Sequence, residues 1–218
     1  MELIAEYIGT MAKDIDCNKF CEEITARIQS VYRKENVDCD RLRLHPEERL
    51  TASAIIYSAF HRQIWMIGDC QCLVDGVLYD NPKPQENLCA EKRATFNRQA
   101  LANGHTVEEI RMNDGGRRLI IPLIIEYSKQ QNISYPVIDG FDIPKDKIKI
   151  IKTNKGKHEI VLASDGYPFL KPTLEESEQA LHEQLTKDPL CIDTFKATKG
   201  LIQGNNSFDD RSYIRFED

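Results

Sequence analysis

Four acidic residues, set at the ends or interruptions of apolar stretches, are the part of this chain best suited to chemistry. Ile160-Val161-Leu162-Ala163 reads as a buried strand that stops at Ser164-Asp165-Gly166, a carboxylate followed by a turn that glycine permits. Asp209 and Asp210 stand directly before a second alternating stretch, Ser212-Tyr213-Ile214-Arg215-Phe216. Asp69 follows Gly68 inside the otherwise apolar run from Ile64 to Val74, where a glycine marks a bulge or a close approach of backbone. Carboxylates brought together at strand ends, with no histidine or cysteine among them, are the donor set of hard, oxygen-seeking cations such as Mg2+ and Mn2+.

The elements that must position these acids follow from periodicity. Leu3, Ile4, Tyr7, Ile8, Met11, Ile15, Phe20, Ile24, Ile28, Val31 and Tyr32 recur at helical spacing, predicting one long or broken helix over residues 1–34. The β-branched stretch Thr51–Ser58 predicts a strand, paired antiparallel with the run that begins at Ile64, and Asp75-Gly76 is a hairpin turn. A helix follows from Asn87 to about Ala102, with Leu88, Phe96 and Leu101 as its buried stripe, then a short helical turn at Val107–Met112 and a break at Gly115-Gly116. Arg117–Gln130 reads as a helix carrying Pro122, although the apolar run Ile120–Ile125 fits a strand equally well. Strands are expected at Tyr135–Phe141, Lys147–Lys152 and His158–Ala163. Thr173 with Glu176 forms a capping-box signature for a helix whose stripe is Leu174, Ser177, Leu181 and Leu185. Lys187-Asp188-Pro189 stops it, and a second short helix over Leu190–Thr198, a Gly-rich loop and the last strand complete the order. Because the strands arrive in hairpin runs, this is an α+β chain of antiparallel sheets covered by helices rather than a βαβ winding.

Composition narrows the class. At 218 residues, with no stretch resembling an interdomain linker, residues 1–218 are expected to form a single domain. A net charge of -6 without a Lys/Arg run argues against nucleic-acid binding. No apolar run approaches the roughly 18 residues of a membrane span, and Met1-Glu2-Leu3 opens no signal peptide, so no membrane association and a cytoplasmic location are expected. The seven cysteines read as reduced thiols. Cys17 with Cys21, and Cys70 with Cys72, could share a soft metal, but neither pair has CxxC spacing and small buried hydrophobes are the better reading. His45 reads as a surface loop residue rather than a general acid. Arg117 and Arg118, placed after two glycines, could cradle a phosphate; a helix start facing solvent is the favoured account.

Gly68-Asp69-Cys70-Gln71, Ser164-Asp165-Gly166 and Asp209-Asp210-Arg211-Ser212, in this order and in these strand contexts, resemble the motifs of the phosphatase 2C-like, metal-dependent Ser/Thr protein phosphatases (PPM type). The resemblance covers roughly Thr51 to the C-terminus, with the first helix before it. It implies a four-layer αββα sandwich of antiparallel sheets, a Mn2+ or Mg2+ site, and hydrolysis of a phosphoprotein or small phosphoester by a metal-activated water. Asp165 and Asp209 would be ligands of the second central metal, and Asp69 would help hold a third, weaker one beside Asp165. Gly166 belongs to the same motif as Asp165, and Asp210, at a position that is often Asn, has a supporting role.

The chain also departs from that pattern. In the family, strands ahead of the first long helix carry an Asp-Gly whose carboxylate bridges the two central metals; here the sequence opens on the helix. Asp75, Asp114 and Asp139, each followed by glycine, fall in the wrong place and read as turns. Either this is the C-terminal part of a longer, N-terminally truncated phosphatase, or a short member with a weak or incomplete metal site. Absent strands would leave sheet edges open, so a homodimer or a partner segment is expected. The alternatives to a hydrolase are a catalytically inactive phosphatase-like binding or regulatory module and, more remotely, an amidohydrolase with an N-terminal nucleophile, for which Met1-Glu2 offers no Ser, Thr or Cys.

Overall fold

A computed structural model describes residues 2–218; Met1, where the expected first helix begins, lies outside the described residues. The amphipathic N-terminal region forms two helices, α1 (Glu2–Thr10) and α2 (Cys17–Lys34). The break between them is set by Asp16, whose side chain caps α2 by accepting from the Lys19 amide at 2.8 Å. Their apolar faces bring Tyr7, Phe20, Cys21 and Ile24 onto Ile56, Trp65 and Ile67, with ring centroids of Tyr7 and Phe20 5.5 Å apart and of Phe20 and Trp65 6.0 Å apart.

Two antiparallel sheets form the centre. The first has order β1-β2-β5, from β1 (Ala54–Ser58), β2 (Gln63–Ile67) and β5 (Lys149–Lys152). The second has order β4-β3-β6-β7, from β3 (Cys70–Val74), β4 (Val77–Asp80), β6 (Glu159–Ser164) and β7 (Tyr213–Glu217). Alternation along each strand sends Ile64, Met66 and Ile151 of the first sheet against Cys70, Cys72, Ile160 and Leu162 of the second. The opposite rows face outward: Trp65 and Ile67 toward α1 and α2, and Leu73, Val161 and Ala163 toward Tyr167 and Leu170. The α+β sandwich of antiparallel sheets flanked by helices is thus the observed architecture.

The run from Ile64 to Val74 is two strands in two sheets. At Gly68 the chain takes φ +91° and steps from β2 across to β3, so the interruption marks a change of sheet and leaves Asp69 at the crossing.

Helices α4 and α6 also correct the sequence reading, once α3 (Cys39–Leu44), α4 (Glu86–Ala102), α5 (Val107–Met112) and α6 (Gly115–Ser128) are in place. Leu88 and Phe96 are exposed, and α4 instead buries Cys89, Ala90, Arg93, Ala94 and Asn97. Hydrophobicity does not mark this face because it is made of small residues and of a charge matched from elsewhere: Arg93 pairs with Asp114 at 2.7 Å. Gly115-Gly116 opens α6 rather than breaking a pattern, capped by the Asp114 carboxylate on the Arg117 amide at 2.8 Å. Gly116 lets α4 approach, since a Cβ there would lie 2.8 Å from the Arg93 carbonyl oxygen. The Ile120–Ile125 run is helical.

Two further expectations fail for one reason, the capture of backbone groups by side chains. Tyr135–Phe141 forms no strand beyond two isolated bridges, Ala52 with Ile138 and Gln131 with Tyr135. Asn132 accepts from the Val137 amide at 2.9 Å and Asp139 from that of Phe141 at 2.9 Å. Asp139 is more than a turn residue: it is wholly buried and paired with Arg49 at 3.0 Å. Leu190–Thr198 forms no helix, because Asp188 accepts from the amides of Ile192 at 2.9 Å and Asp193 at 2.7 Å while Arg93 takes the carbonyls of Cys191 and Ala197. Helix α7 (Leu174–Lys187) starts on the expected capping box of Thr173 and Glu176, although Leu174 itself is exposed. All seven cysteines are free and all but Cys39 are buried. Among the described residues no helix is long and apolar enough to cross a membrane.

Candidate functional site

Strand register gathers the acids. Cys70 lies opposite Ser164 and Ala163 opposite Tyr213, so Asp69 before β3, Asp165 after β6 and Asp209 ahead of β7 all fall at one end of the second sheet. There they line a cleft of about 350 Å³, walled on the other side by Glu86 and Cys89 of α4 and by Arg117, Ile124 and Tyr127 of α6. Asp210 is exposed and lies outside this cleft. Its backbone passes over Gly166, where a Cβ would collide with the Asp210 carbonyl and stand 2.8 Å from Arg211 Cβ. Gly166 therefore permits the close approach that sets the Asp209 segment beside Asp165.

Each acid has a different environment. Asp69 is buried, which opposes its ionisation, but the Lys83 ammonium on one carboxylate oxygen and the Ser53 hydroxyl on the other outweigh this and hold its pKa below the usual range. Asp209 Oδ1 accepts from Lys199 Nζ at 2.5 Å and from the Asp210 amide at 2.8 Å. Asp165 is exposed at the mouth of the cleft, with its carboxylate turned among the other acids, and has no hydrogen-bond or ionic partner for that carboxylate among the described residues. The cleft walls displace water around it and Asp69, Asp209 and Glu86 crowd it with negative charge, pushing its pKa up to about 7. Burial likewise raises Glu86, against the pull of Lys83.

Lys83, Lys199 and Glu86 are site residues that the sequence reading missed, and Arg117 corrects it. Arg117 does not face bulk solvent: it is half-buried in the cleft wall, donates to the Thr198 carbonyl at 3.0 Å, and only Arg118 is exposed. Removal from water, with Arg93 nearby, depresses its pKa. The available signal was Pro82-Lys83-Pro84, a lysine held between two residues of fixed φ; nothing local marks Lys199. His45, the Cys17–Cys21 pair and Cys72 do not reach the cleft, and His45 pairs with Glu47 at 3.2 Å.

Five carboxylates, on Glu47, Asp69, Glu86, Asp165 and Asp209, line the cleft against three cations, Lys83, Arg117 and Lys199. All-oxygen donors with an excess of negative charge fit a hard divalent cation. Among the described residues, however, no three ligating side chains already stand together as a cage.

No protein-family model and no curated protein sequence matches the chain. Among solved structures the chain is similar to the catalytic domain of the serine/threonine protein phosphatase PstP in complex with two manganese ions, at 16% identity and a TM-score of 0.33, over 82% of this chain and 66% of that one. It is also similar to the Mycobacterium tuberculosis serine/threonine phosphatase PstP/Ppp, at 14% identity and a TM-score of 0.36, over 100% of this chain and 80% of that one. The chain thus spans just under two thirds of the length of the first match. At these identities and scores the similarity says nothing of chemistry, which rests on the cleft's own residues.

Proposed function

We propose that the cleft is a divalent-cation site for hydrolysis of phosphoesters, in the manner of the phosphatase 2C-like Ser/Thr phosphatases, acting on a phosphoprotein or a small phosphoester. The observation that carries this reading is the meeting of Asp69, Asp165 and Asp209 in one cleft, with Asp165 unpaired among the described residues. Asp165, together with Asp209 and Asp69, would hold Mn2+ or Mg2+, which would supply Lewis acidity toward water and offset the charge of the phosphoryl group. The chain's own residues bind and orient. Arg117 commits only Nη1 to Thr198, so the rest of its guanidinium is available to a phosphoryl oxygen across the cleft. Ser53 and Lys83 hold the Asp69 carboxylate in a fixed orientation at the sheet crossing.

One observation favours the second reading, a catalytically inactive phosphatase-like module: Asp69 and Asp209 are already neutralised by lysines. Hydrolysis of p-nitrophenyl phosphate with and without Mn2+, by the chain and by Asp165→Asn, separates the two. The hydrolase reading expects Mn2+-dependent turnover that falls by more than about 10- to 100-fold in the variant, the loss that follows when a residue merely orienting a metal ligand is removed. Turnover indifferent to Asp165→Asn sinks the site assignment, and no turnover at millimolar Mn2+ selects the inactive module.

Open edges support an association as well. Val77 and Leu78 on β4 and Ile214 on β7 are exposed on the two outer strands of the second sheet, the surface a second copy or a partner segment would pair with. A monomer by light scattering at micromolar concentration would count against it.

A further inference from the structure

The geometry points to Lys83 and Lys199 as built-in counter-ions that occupy the acids of the cleft and must be displaced by an entering divalent cation, so that two ammonium groups set the cleft's cation affinity. This rests on the reading of the cleft as a cation site and adds its regulation.

Neither lysine is a loose surface side chain. Lys83 sits between Pro82 and Pro84, whose rings fix φ on both sides. The loop is clamped to the sheet crossing itself, by Asn81 Nδ2 donating to the Gly68 carbonyl at 2.9 Å and the Asn81 amide to the Cys70 carbonyl at 3.1 Å. Its ammonium is thereby delivered to Asp69, whose other oxygen holds Ser53. Both oxygens of Asp69 thus already hold a side-chain donor, so a metal at this carboxylate competes with Lys83 for it.

Lys199 is pinned by a separate device. The wholly buried Arg93 donates to the Ala197 carbonyl at 3.0 Å and the Cys191 carbonyl at 3.3 Å while pairing with Asp114 at 2.7 Å. Gly200 packs directly on it: a Cβ there would lie 2.7 Å from Arg93 Nη2 and 2.7 Å from the Leu190 carbonyl oxygen. The Leu201 amide closes the segment onto the Pro189 carbonyl at 2.8 Å. The backbone at Lys199 is therefore fixed, and Nζ lies 2.5 Å from Asp209 Oδ1.

Exposed lysine–carboxylate pairs contribute little because both long side chains must be ordered. Here backbone restraint has done much of that ordering, and both ammoniums are only half exposed. An ammonium brings one charge and shares it through hydrogen bonds, whereas a divalent cation draws several carboxylates to itself. The cation can win the exchange, but it enters against two resident charges.

The test is Mn2+ titration calorimetry on the full chain and on Lys83→Met, Lys83→Gln and Lys199→Met, with melting curves in EDTA and in Mn2+. Removing either charge is expected to tighten Mn2+ binding on the order of tenfold, since like charges a few ångströms apart repel by at least that much at a half-buried site. Lys83→Met is also expected to melt below the parent in EDTA and to recover in Mn2+, because it strands the buried Asp69 carboxylate. Lys83→Gln keeps a donor for Asp69 without the charge, so it reports on cation competition even where Lys83→Met folds poorly. Variants that bind Mn2+ no more tightly than the parent overturn the counter-ion role and leave the cation site standing. Binding by none of the forms overturns both. Tighter binding without p-nitrophenyl phosphate turnover upholds the counter-ion role and removes the hydrolase.

Discussion

Gly68 lies so close against Ser53 that a Cβ on the glycine would stand 2.6 Å from Ser53 Cβ and 3.1 Å from its Cα. The same serine donates its hydroxyl to Asp69, so one contact both permits the crossing between sheets and anchors the acid carried across it. Gly68→Ala combines a φ of +91°, which L side chains rarely adopt, with this overlap. It is expected to destabilise the chain by about 2–4 kcal/mol and to weaken Mn2+ binding. Urea unfolding gives the first quantity; a loss below about 0.5 kcal/mol would show that the crossing has slack.

Arg93 is the second element on which the cleft depends. Its guanidinium alone joins three parts at one buried point, α4, the Asp114 cap of α6 and the carbonyls of Cys191 and Ala197, beside the weaker ties that Asn97 makes to Asp114 and Arg98 to Asp193. Arg93→Met is expected to cost about 3–5 kcal/mol, because Asp114 loses its ionic partner and the Ala197 carbonyl its side-chain donor. Arg93→Lys is expected to recover less than half, since a single ammonium cannot reach the same three acceptors. Urea midpoints of both variants provide the check, and near-equal stability of Arg93→Lys and the parent would refute the fork geometry.

Asp165 provides a pH signature in metal-free protein. Its pKa in the folded chain, about 7, lies above that of an unfolded aspartate, near 3.9, so between these values the folded state binds more protons than the unfolded one. Stability contributed by this group is therefore greatest in acid and declines as pH rises toward 7, the reverse of a carboxylate held in an ion pair. Asp165→Asn is expected to remove that decline, so that the gain in melting temperature of the variant over the parent is larger at pH 8 than at pH 5 in EDTA. An equal difference at both values would mean that the carboxylate is not crowded.

Local chemistry was legible in the residues themselves. The capping box of Thr173 and Glu176, the Asp75-Gly76 hairpin between β3 and β4, the helical period of the first 34 residues and the strand that stops at Asp165 all depend on neighbours within a few positions, and each forms where the pattern places it. The choice of antiparallel sheets over βαβ winding followed from the same local signals. What remained hidden involves partners far apart in the chain. Whether Gly68 bends one strand or separates two sheets depends on which strands β2 and β3 pair with, and those are β5 and β6, about 80 to 90 residues later. Hydropathy could not reveal the buried face of α4, because Arg93 is made tolerable there by Asp114 and by carbonyls of a distant loop. Nor could it distinguish the expected strand at 135–141 and helix at 190–198 from the irregular segments that exist, since Asn132, Asp139 and Asp188 capture nearby amides, a competition that hydropathy does not register, and Arg93 reaches the 191–197 carbonyls only once the fold has brought them together. The sequence by itself determined which carboxylates stand at strand ends. Only the tertiary structure decided which of them meet, and that Lys83 and Lys199 meet them there, because desolvation and charge compensation are properties of a place in space and not of a position in the chain.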